Sequence, residues 1–496
     1  NNTKDVSTNK AANSFLEILK SWFGHAGGPT DDTNQGSGGT VEGNVEYSPF
    51  ITTDDMDKEN LDGVIVIKDA NGDAIGYATT LAEAMTNLAT LVANGDNPTK
   101  AEIKHNFTTR DADIDFSVDG ITYECSAGKT ITDTNVTVVL SASNATIKDC
   151  NIDDNLQITG SNNTINNVDI TGTLTIDGNS NTLNNASTVT GVTTLNGNSN
   201  TLNDTDLSNN LVIDGNSNTV NNTSTIAGTT AVNGTDTTLS NITLTGATNV
   251  ALGATTTVIE NSTIKATVDI AETGVSIDGN SFILGDTDTG ITSSGNASSL
   301  ATASITDNTF KALNVGESYT GIDLGNQFTD ALTLTNNDMS TGQNDIITIG
   351  IQVASGTATI TNSEITSNGT GTGISINGGA SHVIGSDGNP NILTNLASGL
   401  TIEDTVDAST LTIEYNQFAA NNTLGITNND GAIATAYKNW WGSNAEPNVE
   451  VNNTALINYG NWCTTSACNA FDSHIYVDLE NNASNDRFYG RLQVER

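Results

Sequence analysis

The sequence predicts an all-β fold, a right-handed parallel β-helix solenoid, and three observations carry the prediction. Turn-like tetrads recur in steps of 18, 19, 18 and 19, as the glycines at their second positions show: Gly160, Gly178, Gly197, Gly215 and Gly234. Aliphatic residues return about every six or seven positions, whereas a helical stripe would return every ~3.6. The charged fraction is only 15%, too low for a chain kept unfolded by its charge. Three short strands per coil, each sending in aliphatic side chains, fit a triangular solenoid.

Composition excludes two classes of partner. The 496 residues contain 57 acidic and 16 basic side chains, a formal net charge of −41. A nucleic-acid partner is not expected, because a phosphate backbone requires a basic face. The longest apolar stretches, such as Gly63–Ile67, are far shorter than the ~18–20 residues of a membrane span. We therefore predict no nucleic-acid binding and no transmembrane segment.

A hairpin and a helix are predicted over residues 54–103, ahead of the first coil. Gly63–Ala78 has two apolar strands around an Asn71-Gly72 turn, and Thr80 with Glu83 has the spacing of a capping box. The helix ends at Asn94-Gly95 and has one apolar face: Leu81, Ala84, Met85, Leu88 and Val92. Such a helix is suited to cover the open end of a solenoid.

The solenoid itself is predicted over residues 104–442, with 18–19-residue coils followed by 26–29-residue coils. The longer coils show a large apolar residue after an Asn-containing turn at Phe282, Phe310, Met339 and Ile365, in steps of 28, 29 and 26. The next such residue is 53 positions on, which is two coils, and Ile392 lies near the missing step.

Two roles are predicted for the polar corners of the coils. The Asp-Gly and Asn-Gly pairs are expected to provide positive-φ backbone. Asn179, Asn198 and Asn216 occupy one position of successive repeats and are expected to stack as an amide ladder.

The Asn-Trp-Trp-Gly sequence of Asn439–Gly442 follows the last coil and precedes a degenerate second half at Asn458–Trp462. This pair of elements resembles the closing motif of secreted and cell-surface right-handed β-helix proteins of the pectate-lyase-like solenoid type. The helix before the coils is similar to the amphipathic cap of those proteins. The resemblance implies an extracellular or cell-surface location and a non-catalytic surface or filament protein.

Residues 1–53 repeat the closing motif in a displaced position, because Ser21–Gly24 and Asn44–Phe50 match it more faithfully than the C-terminal copy. Three explanations stay open: series-linked β-helix modules in a longer protein, docking on a neighbouring subunit, or packing on the same chain. Residues 443–496 are predicted to hold the second closing motif and a hairpin of Ile475–Leu479 with Phe488–Val494. The predicted docking residues are Trp22, Phe23, Tyr47, Pro49, Phe50, Trp440, Trp441, Tyr459 and Trp462.

A catalytic set is not recognisable in the sequence. Polysaccharide lyases of this fold resemble one another in an acidic, calcium-binding cluster with an Arg or Lys base. No arginine occurs between Arg110 and Arg487, and the coil lysines, Lys438 among them, are far apart in the sequence. Asp286 and Asp288 could form an acid–base pair, but such pairs are common in a chain this acidic. We predict that the protein is not an enzyme.

Two acidic runs are candidate structural calcium sites. Asp111, Asp113 and Asp115 alternate along one predicted strand face, where three carboxylates would repel one another unless a hard cation bound them. The second run lies before the hairpin and comprises Asp54, Asp55, Asp57, Glu59 and Asp62. The alternative for both runs is a solvated acidic face without metal.

Cysteine and asparagine patterns suggest two covalent features. Cys125 and Cys150 are a little over one coil apart, and Cys463 and Cys468 are five apart, so two disulfides of an oxidising compartment are expected, with four buried thiols as the alternative. Asn-x-Ser/Thr triplets begin at Asn144, Asn185, Asn241 and Asn261. These are candidate glycosylation sites, although chance alone produces many such triplets in an Asn-rich chain.

Three functions fit these observations. The first is an extracellular structural protein that self-assembles with copies of itself into a filament, sheath or surface layer. The second is a glycan-binding adhesin or tail-fibre-like module, which requires an exposed aromatic or acidic surface. The third is a polysaccharide lyase or hydrolase, which requires a cleft with convergent carboxylates.

Overall fold

The computed structural model describes most of the chain after residue 64, as two compact units, Asn1–Ser208 and Asn209–Arg496. The described residues are 65–109, 114–126, 128–133, 137–250, 254–271, 273–293, 302–325, 328–329, 331–340, 345–418, 422–444 and 456–472, with four short strands before residue 47. No helix in these ranges is long and apolar enough to cross a membrane.

In its described part the first unit contains one helix, α1 (Leu81–Asn94), and 23 strands. The strands are β1 Val6–Ser7, β2 Leu16–Glu17, β3 Val41–Glu42, β4 Val45–Glu46, β5 Ile65–Asp69, β6 Ala74–Ala78, β7 Pro98–Ile103, β8 Phe107–Thr109, β9 Asp115–Phe116, β10 Thr122–Cys125, β11 Thr130–Asp133, β12 Val138–Leu140, β13 Thr146–Lys148, β14 Asn151–Ile152, β15 Leu156–Ile158, β16 Thr164–Asn166, β17 Asp169–Ile170, β18 Leu174–Ile176, β19 Thr182–Asn184, β20 Ser187–Val189, β21 Thr193–Leu195, β22 Thr201–Asn203 and β23 Thr205–Leu207.

The second unit contains 30 strands and one 3₁₀ turn, Ala408–Thr410, in its described part. The strands are β24 Leu211–Ile213, β25 Thr219–Asn221, β26 Thr225–Ile226, β27 Thr230–Val232, β28 Thr238–Ser240, β29 Thr243–Leu244, β30 Thr248–Val250, β31 Val258–Glu260, β32 Thr263–Ile264, β33 Val268–Ile270, β34 Val275–Asp278, β35 Ser281–Leu284, β36 Asp288–Ser293, β37 Ala303–Thr306, β38 Thr309–Ala312, β39 Ser318–Leu324, β40 Ala331–Thr335, β41 Asp338–Met339, β42 Ile346–Val353, β43 Thr357–Thr361, β44 Glu364–Thr366, β45 Thr372–Ile376, β46 Val383–Ile384, β47 Ile392–Thr394, β48 Ser398–Ile402, β49 Thr412–Ile413, β50 Gln417–Phe418, β51 Leu424–Asn428, β52 Ala434–Thr435 and β53 Ile457–Asn458.

Within the coils of both units each strand pairs in parallel with the third strand after it, so the chain winds through three sheets in turn and each unit is a parallel β-helix. In the first unit β13, β16, β19 and β22 align Thr146 with Thr164, Thr182 and Thr201, in steps of 18, 18 and 19. The residue after each threonine is aliphatic and buried. The fold class that the repeat predicts is confirmed, because stacked coils with inward aliphatic rows account for the period.

The second unit has the longer coils that the sequence predicts. β34, β37, β40 and β43 align Ser276 with Ser304, Thr333 and Thr359, in steps of 28, 29 and 26. Phe282 and Phe310 stack in its core with ring centroids 4.6 Å apart. At the missing step the buried core residue is Leu393, which aligns with Phe418, whereas Ile392 is only half-buried.

The hairpin and helix ahead of the first coils are also confirmed. β5 and β6 are antiparallel. Thr80 caps α1 by accepting from the Glu83 backbone N–H at 3.1 Å, and Glu83 accepts in return from the Thr79 rather than the Thr80 backbone N–H, at 2.7 Å. Leu81, Ala84 and Leu88 are buried.

The tight corners of the first unit correct the prediction about glycine. Gly178 and Gly197 do not have positive φ, whereas Ser180 and Ser199 do, at 57° and 58°. Glycine is required there for another reason. A Cβ on Gly178 would lie 1.8 Å from the Gly160 carbonyl oxygen of the preceding coil, so the stacked backbones leave no room for a side chain.

Two asparagine ladders run through the first unit. At the predicted exposed corner, the Asn198 backbone N–H donates to Oδ1 of Asn179 at 2.7 Å. A second ladder is buried: the backbone N–H groups of Asn163 and Asn181 donate to Oδ1 of Asn181 and Asn200, both at 2.8 Å. Each amide therefore joins its coil to a neighbouring coil.

Several predictions fall on residues outside the described part of the chain. These are the C-terminal hairpin over 475–494, the acidic residues Asp54, Asp55, Asp57, Glu59, Asp62, Asp111 and Asp113, and the aromatic-motif residues Trp22, Phe23, Tyr47, Pro49 and Phe50. The four short strands of the first segment are described. β1 pairs with β3 and β2 with β4, in parallel, with Val6 aligned to Val41 and Leu16 to Val45.

Candidate functional site

One corner of the second unit departs from the pattern of the other coils. At the corner before the middle strand of most described coils, a residue in left-handed conformation donates its backbone N–H to the next coil. Elsewhere this residue is usually Asn, Asp or Gly, and in two coils it is Ala186 or Thr223. Near the end of the unit this residue is Tyr415, with φ 61°, and one coil later Lys438, with φ 53°. Left-handed backbone is strained for large side chains, and strain of this kind concentrates at functional sites.

Lys438 is held between a carboxylate and an aromatic ring. Its Nζ lies 3.0 Å from Oε2 of Glu414, and the two side chains are 37% and 27% exposed. The same Nζ lies 5.1 Å from the centroid of the Tyr415 ring. The hydrogen bond to Glu414 raises the pKa of Lys438 above its ordinary value, so the ammonium stays charged at neutral pH.

Phe471 completes the arrangement from a separate segment. Its ring is 43% exposed and stands edge-on to Tyr415, with centroids 6.3 Å apart and planes at 80°. A short hairpin presents it: Phe471 pairs in antiparallel fashion with Cys463, and the Thr464 N–H donates to the Ala470 carbonyl at 2.8 Å. We call Glu414, Tyr415, Lys438 and Phe471 the C-terminal patch.

Both predicted disulfides are present. Cys463–Cys468 closes the hairpin that carries Phe471. In the first unit Cys125–Cys150 joins two successive coils. The alternative of four buried thiols is thereby excluded.

The predicted docking residues of the C-terminal closing motif are buried or half-buried. Trp441 and Trp462 are each 1% exposed, and Trp441 stacks on Phe418 with centroids 4.9 Å apart. Trp440 and Tyr459 are half-buried. Trp441 and Trp462 therefore fill the core at this end of the described coils, which leaves little of either ring for a partner.

Of the acidic residues predicted to bind calcium, Asp115 lies in the described part of the chain, and its carboxylate has partners within the fold. Asp115 accepts from the Ser141 N–H at 3.2 Å and hydroxyl at 2.9 Å. No cluster of three His, Cys, Asp or Glu suited to a metal occurs in the described ranges. Since Asp111 and Asp113 lie outside them, calcium stays a prediction.

The two carboxylates of the candidate acid–base pair, Asp286 and Asp288, accept hydrogen bonds from groups of the fold. Asp286 accepts from the Ser318 N–H and hydroxyl at 3.0 and 2.8 Å, and the backbone bond lowers the pKa of Asp286. Asp288 accepts from the Gly285 N–H at 2.8 Å. A general acid needs a raised pKa, and the shift of Asp286 is in the opposite direction.

Many other surface carboxylates accept hydrogen bonds from neutral side chains one coil away. Asp177 accepts from Asn196 at 2.7 Å and from Gln157 at 2.6 Å, and Asp153 accepts from the Thr171 hydroxyl at 2.9 Å. Neutral donors between the acidic residues let the coils carry a large negative charge without a cation at each carboxylate.

The four candidate glycosylation sites share an exposed setting at the corners of the coils. Each of these asparagines is exposed and has positive φ at a coil corner: Asn144, Asn185, Asn241 and Asn261. The four side chains are therefore accessible to modification, and glycosylation stays a prediction.

Sequence reasoning missed the patch because its members are distant in the chain and Phe471 belongs to no repeat. Lys438 was expected to be isolated, but stacking places it one coil from Glu414 and Tyr415. A signal was available. Tyr415 precedes Asn416 where other coils have Asp307 before Asn308 or Asn336 before Asn337, so the repeat marks Tyr415 as an exception.

Comparisons with known proteins give two structural likenesses. No protein-family model and no curated protein matches the chain. A mutant tailspike protein of Escherichia coli bacteriophage HK620 in complex with a pentasaccharide is 11% identical, with a TM-score of 0.33, over 77% of this chain and 78% of that one. A PL6 alginate lyase in complex with a trisaccharide is 14% identical, with a TM-score of 0.25, over 78% and 88%.

The alginate lyase overturns the prediction that the protein is not an enzyme. That prediction treated the absence of a recognisable catalytic set in the sequence as evidence against catalysis. With a PL6 alginate lyase among the similar chains, the prediction is withdrawn.

Proposed function

We propose that the protein is an extracellular polysaccharide-binding protein whose C-terminal patch contacts the glycan. The observation that carries the proposal is the exposed Phe471 ring set against Tyr415 with Lys438 and Glu414 beside it. An aromatic ring offers an apolar surface to the C–H groups of a sugar. Charged side chains at its edge give strong, directional hydrogen bonds to hydroxyl groups.

The setting supports the same function. Two disulfides are typical of exported proteins. The Cys463–Cys468 hairpin and the stacked coils below it fix the positions of the two rings before any ligand arrives, which lowers the entropic cost of binding.

The test is affinity electrophoresis of the full chain through gels that contain single polysaccharides. Phe471→Ala should weaken retardation by about tenfold or more, a loss of about 1.4 kcal/mol. The matched control is Val92→Ala, since Val92 is 51% exposed on α1 and belongs to no aromatic group. Retardation that Phe471→Ala leaves unchanged would overturn the proposal.

Self-assembly is a second candidate, favoured by the strand pairs of the first segment. β1 with β3 and β2 with β4 pair in parallel, Val6 with Val41 and Leu16 with Val45, and these separations along the chain are comparable to a long coil. Each of the four strands has one partner among the described residues, which leaves an edge for a strand of another copy. Negative-stain imaging should show polymers of the full chain and none after deletion of residues 1–53. Equal appearance of both preparations would exclude this route.

A further inference from the structure

The charge balance of the C-terminal patch bears on the kind of polysaccharide it accepts, an inference that rests on the proposed function. Lys438 is the cation of the patch, and its ammonium is already bound to Glu414 at 3.0 Å and lies over the Tyr415 ring. An acidic sugar could bind Lys438 only by displacing Glu414 or by adding a second carboxylate beside it. With one ammonium and one carboxylate in contact among its four residues, the patch has no net charge.

The rest of the chain opposes an anionic ligand as well. Its formal net charge is −41, and charges separated by less than about 8 Å are incompletely screened at physiological ionic strength. A polyuronate carries a carboxylate on every sugar and would need, at the patch, a cation that no carboxylate of the protein already neutralises. A polycation would be attracted everywhere, with no preference for the patch.

We infer that the C-terminal patch binds an uncharged polysaccharide and that Glu414 determines this specificity by neutralising Lys438. The exposed Phe471 ring packs against an apolar sugar face. An ammonium has three N–H donors and a carboxylate only acceptors, so the ion pair offers a remaining donor and a remaining acceptor to sugar hydroxyls. A sugar hydroxyl can accept from the ammonium and donate to the carboxylate, whereas a sugar carboxylate can only accept from the ammonium.

The decisive variant is Glu414→Gln, which keeps the shape of the side chain and removes the negative charge that neutralises Lys438. Gels would contain a neutral panel (β-glucan, mannan, galactan, xylan), alginate, or chitosan, at about 20 mM and about 500 mM salt. The wild-type chain should be retarded by one or more neutral polymers equally at both salt concentrations, and by alginate at neither. Glu414→Gln should weaken that neutral affinity by about threefold to tenfold, because an amide oxygen accepts less strongly than a carboxylate, and should gain alginate binding that high salt abolishes.

The outcomes separate the inference from the function on which it rests. Wild-type binding to alginate or chitosan that Phe471→Ala abolishes would refute the uncharged class and leave the patch as a glycan site. Absence of retardation by every polymer would refute the proposed function itself. A folded Glu414→Gln variant, shown by an unchanged circular-dichroism melt, that fails to gain alginate binding refutes the role of Glu414. Glu414→Gln with Lys438→Met is the control, since it should lose the gained binding.

Discussion

The same corner of the coil is built in one way in the first unit and in another way in the last coils of the second. In the first unit Asp149 and Asn167 occupy it, and Asn167 donates to Asp149 at 2.7 Å. In the last coils of the second unit Tyr415 and Lys438 have the same backbone conformation, but their side chains form the C-terminal patch. Asparagine and aspartate tolerate left-handed backbone, and their short side chains hydrogen-bond to polar groups nearby. The comparison teaches that the repeat specifies the coil, and that departures from it identify residues with another role.

The largest effect is expected where the first unit is most regular. Gly178→Ala should destabilise the protein by about 3 kcal/mol or more, because the new Cβ would overlap the Gly160 carbonyl oxygen. Gly431→Ala is the control, since a Cβ there meets no atom within 4 Å. Urea unfolding of both variants measures the difference, and equal midpoints would contradict the steric account.

The next largest loss of stability is expected in the buried asparagine ladder, and it should exceed the loss in the exposed ladder of the same coil. Asn181→Ala should cost about 2–3 kcal/mol, because it leaves the buried Asn163 N–H without its acceptor and the Gly160 carbonyl without its donor. Asn179→Ala removes an exposed acceptor and should cost less than about 1 kcal/mol. Thermal melting of both variants tests the ranking, which an equal loss in the two would contradict.

A smaller effect on stability is expected when Tyr415 is replaced by asparagine, a residue type that occupies this corner in the first unit. Tyr415→Asn relieves the strained backbone but loses the contacts with Phe471 and Lys438, so stability should change by less than about 1 kcal/mol. Polysaccharide affinity should nevertheless fall about tenfold. Melting and affinity electrophoresis of the same preparation measure the two quantities. Full affinity in this variant would remove Tyr415 from the patch.

The smallest effect is a pH dependence near His382, in the second unit. Burial lowers the pKa of His382, and its Nδ1 accepts from the Ala358 N–H at 3.0 Å. The unfolded chain takes up a proton as the pH falls below about 6.5 and the folded chain does not. The stability that His382 contributes is therefore complete above that pH and is lost below it. Hydrogen exchange, corrected for intrinsic rates, should accelerate over residues 358–384 between pH 7 and 5, more than over residues 146–202. His382→Gln should flatten this difference.

How much the sequence could predict follows from which contacts are periodic. The coil lengths, the three sheets, the capping helix and the cysteine pairs all follow from spacings within the chain. The reason for glycine at Gly178 could not be predicted, because the carbonyl that excludes a Cβ belongs to the preceding coil and its distance depends on the stacking. The C-terminal patch was hidden for a similar reason, since Phe471 reaches Tyr415 through a hairpin outside the repeat.

The buried asparagine ladder makes length an adjustable property of the first unit. The Asn181 side-chain amide accepts from and donates to the preceding coil, and the Asn181 backbone N–H donates to the following coil. Every coil therefore presents to its successor the groups that it takes from its predecessor. Excision of residues 164–181, one full turn, would bring Asn163 against Asn200 with donor and acceptor still in register. Duplication of the same segment would extend the unit equally well, so such a protein can grow or shrink through recombination without redesign of its interior.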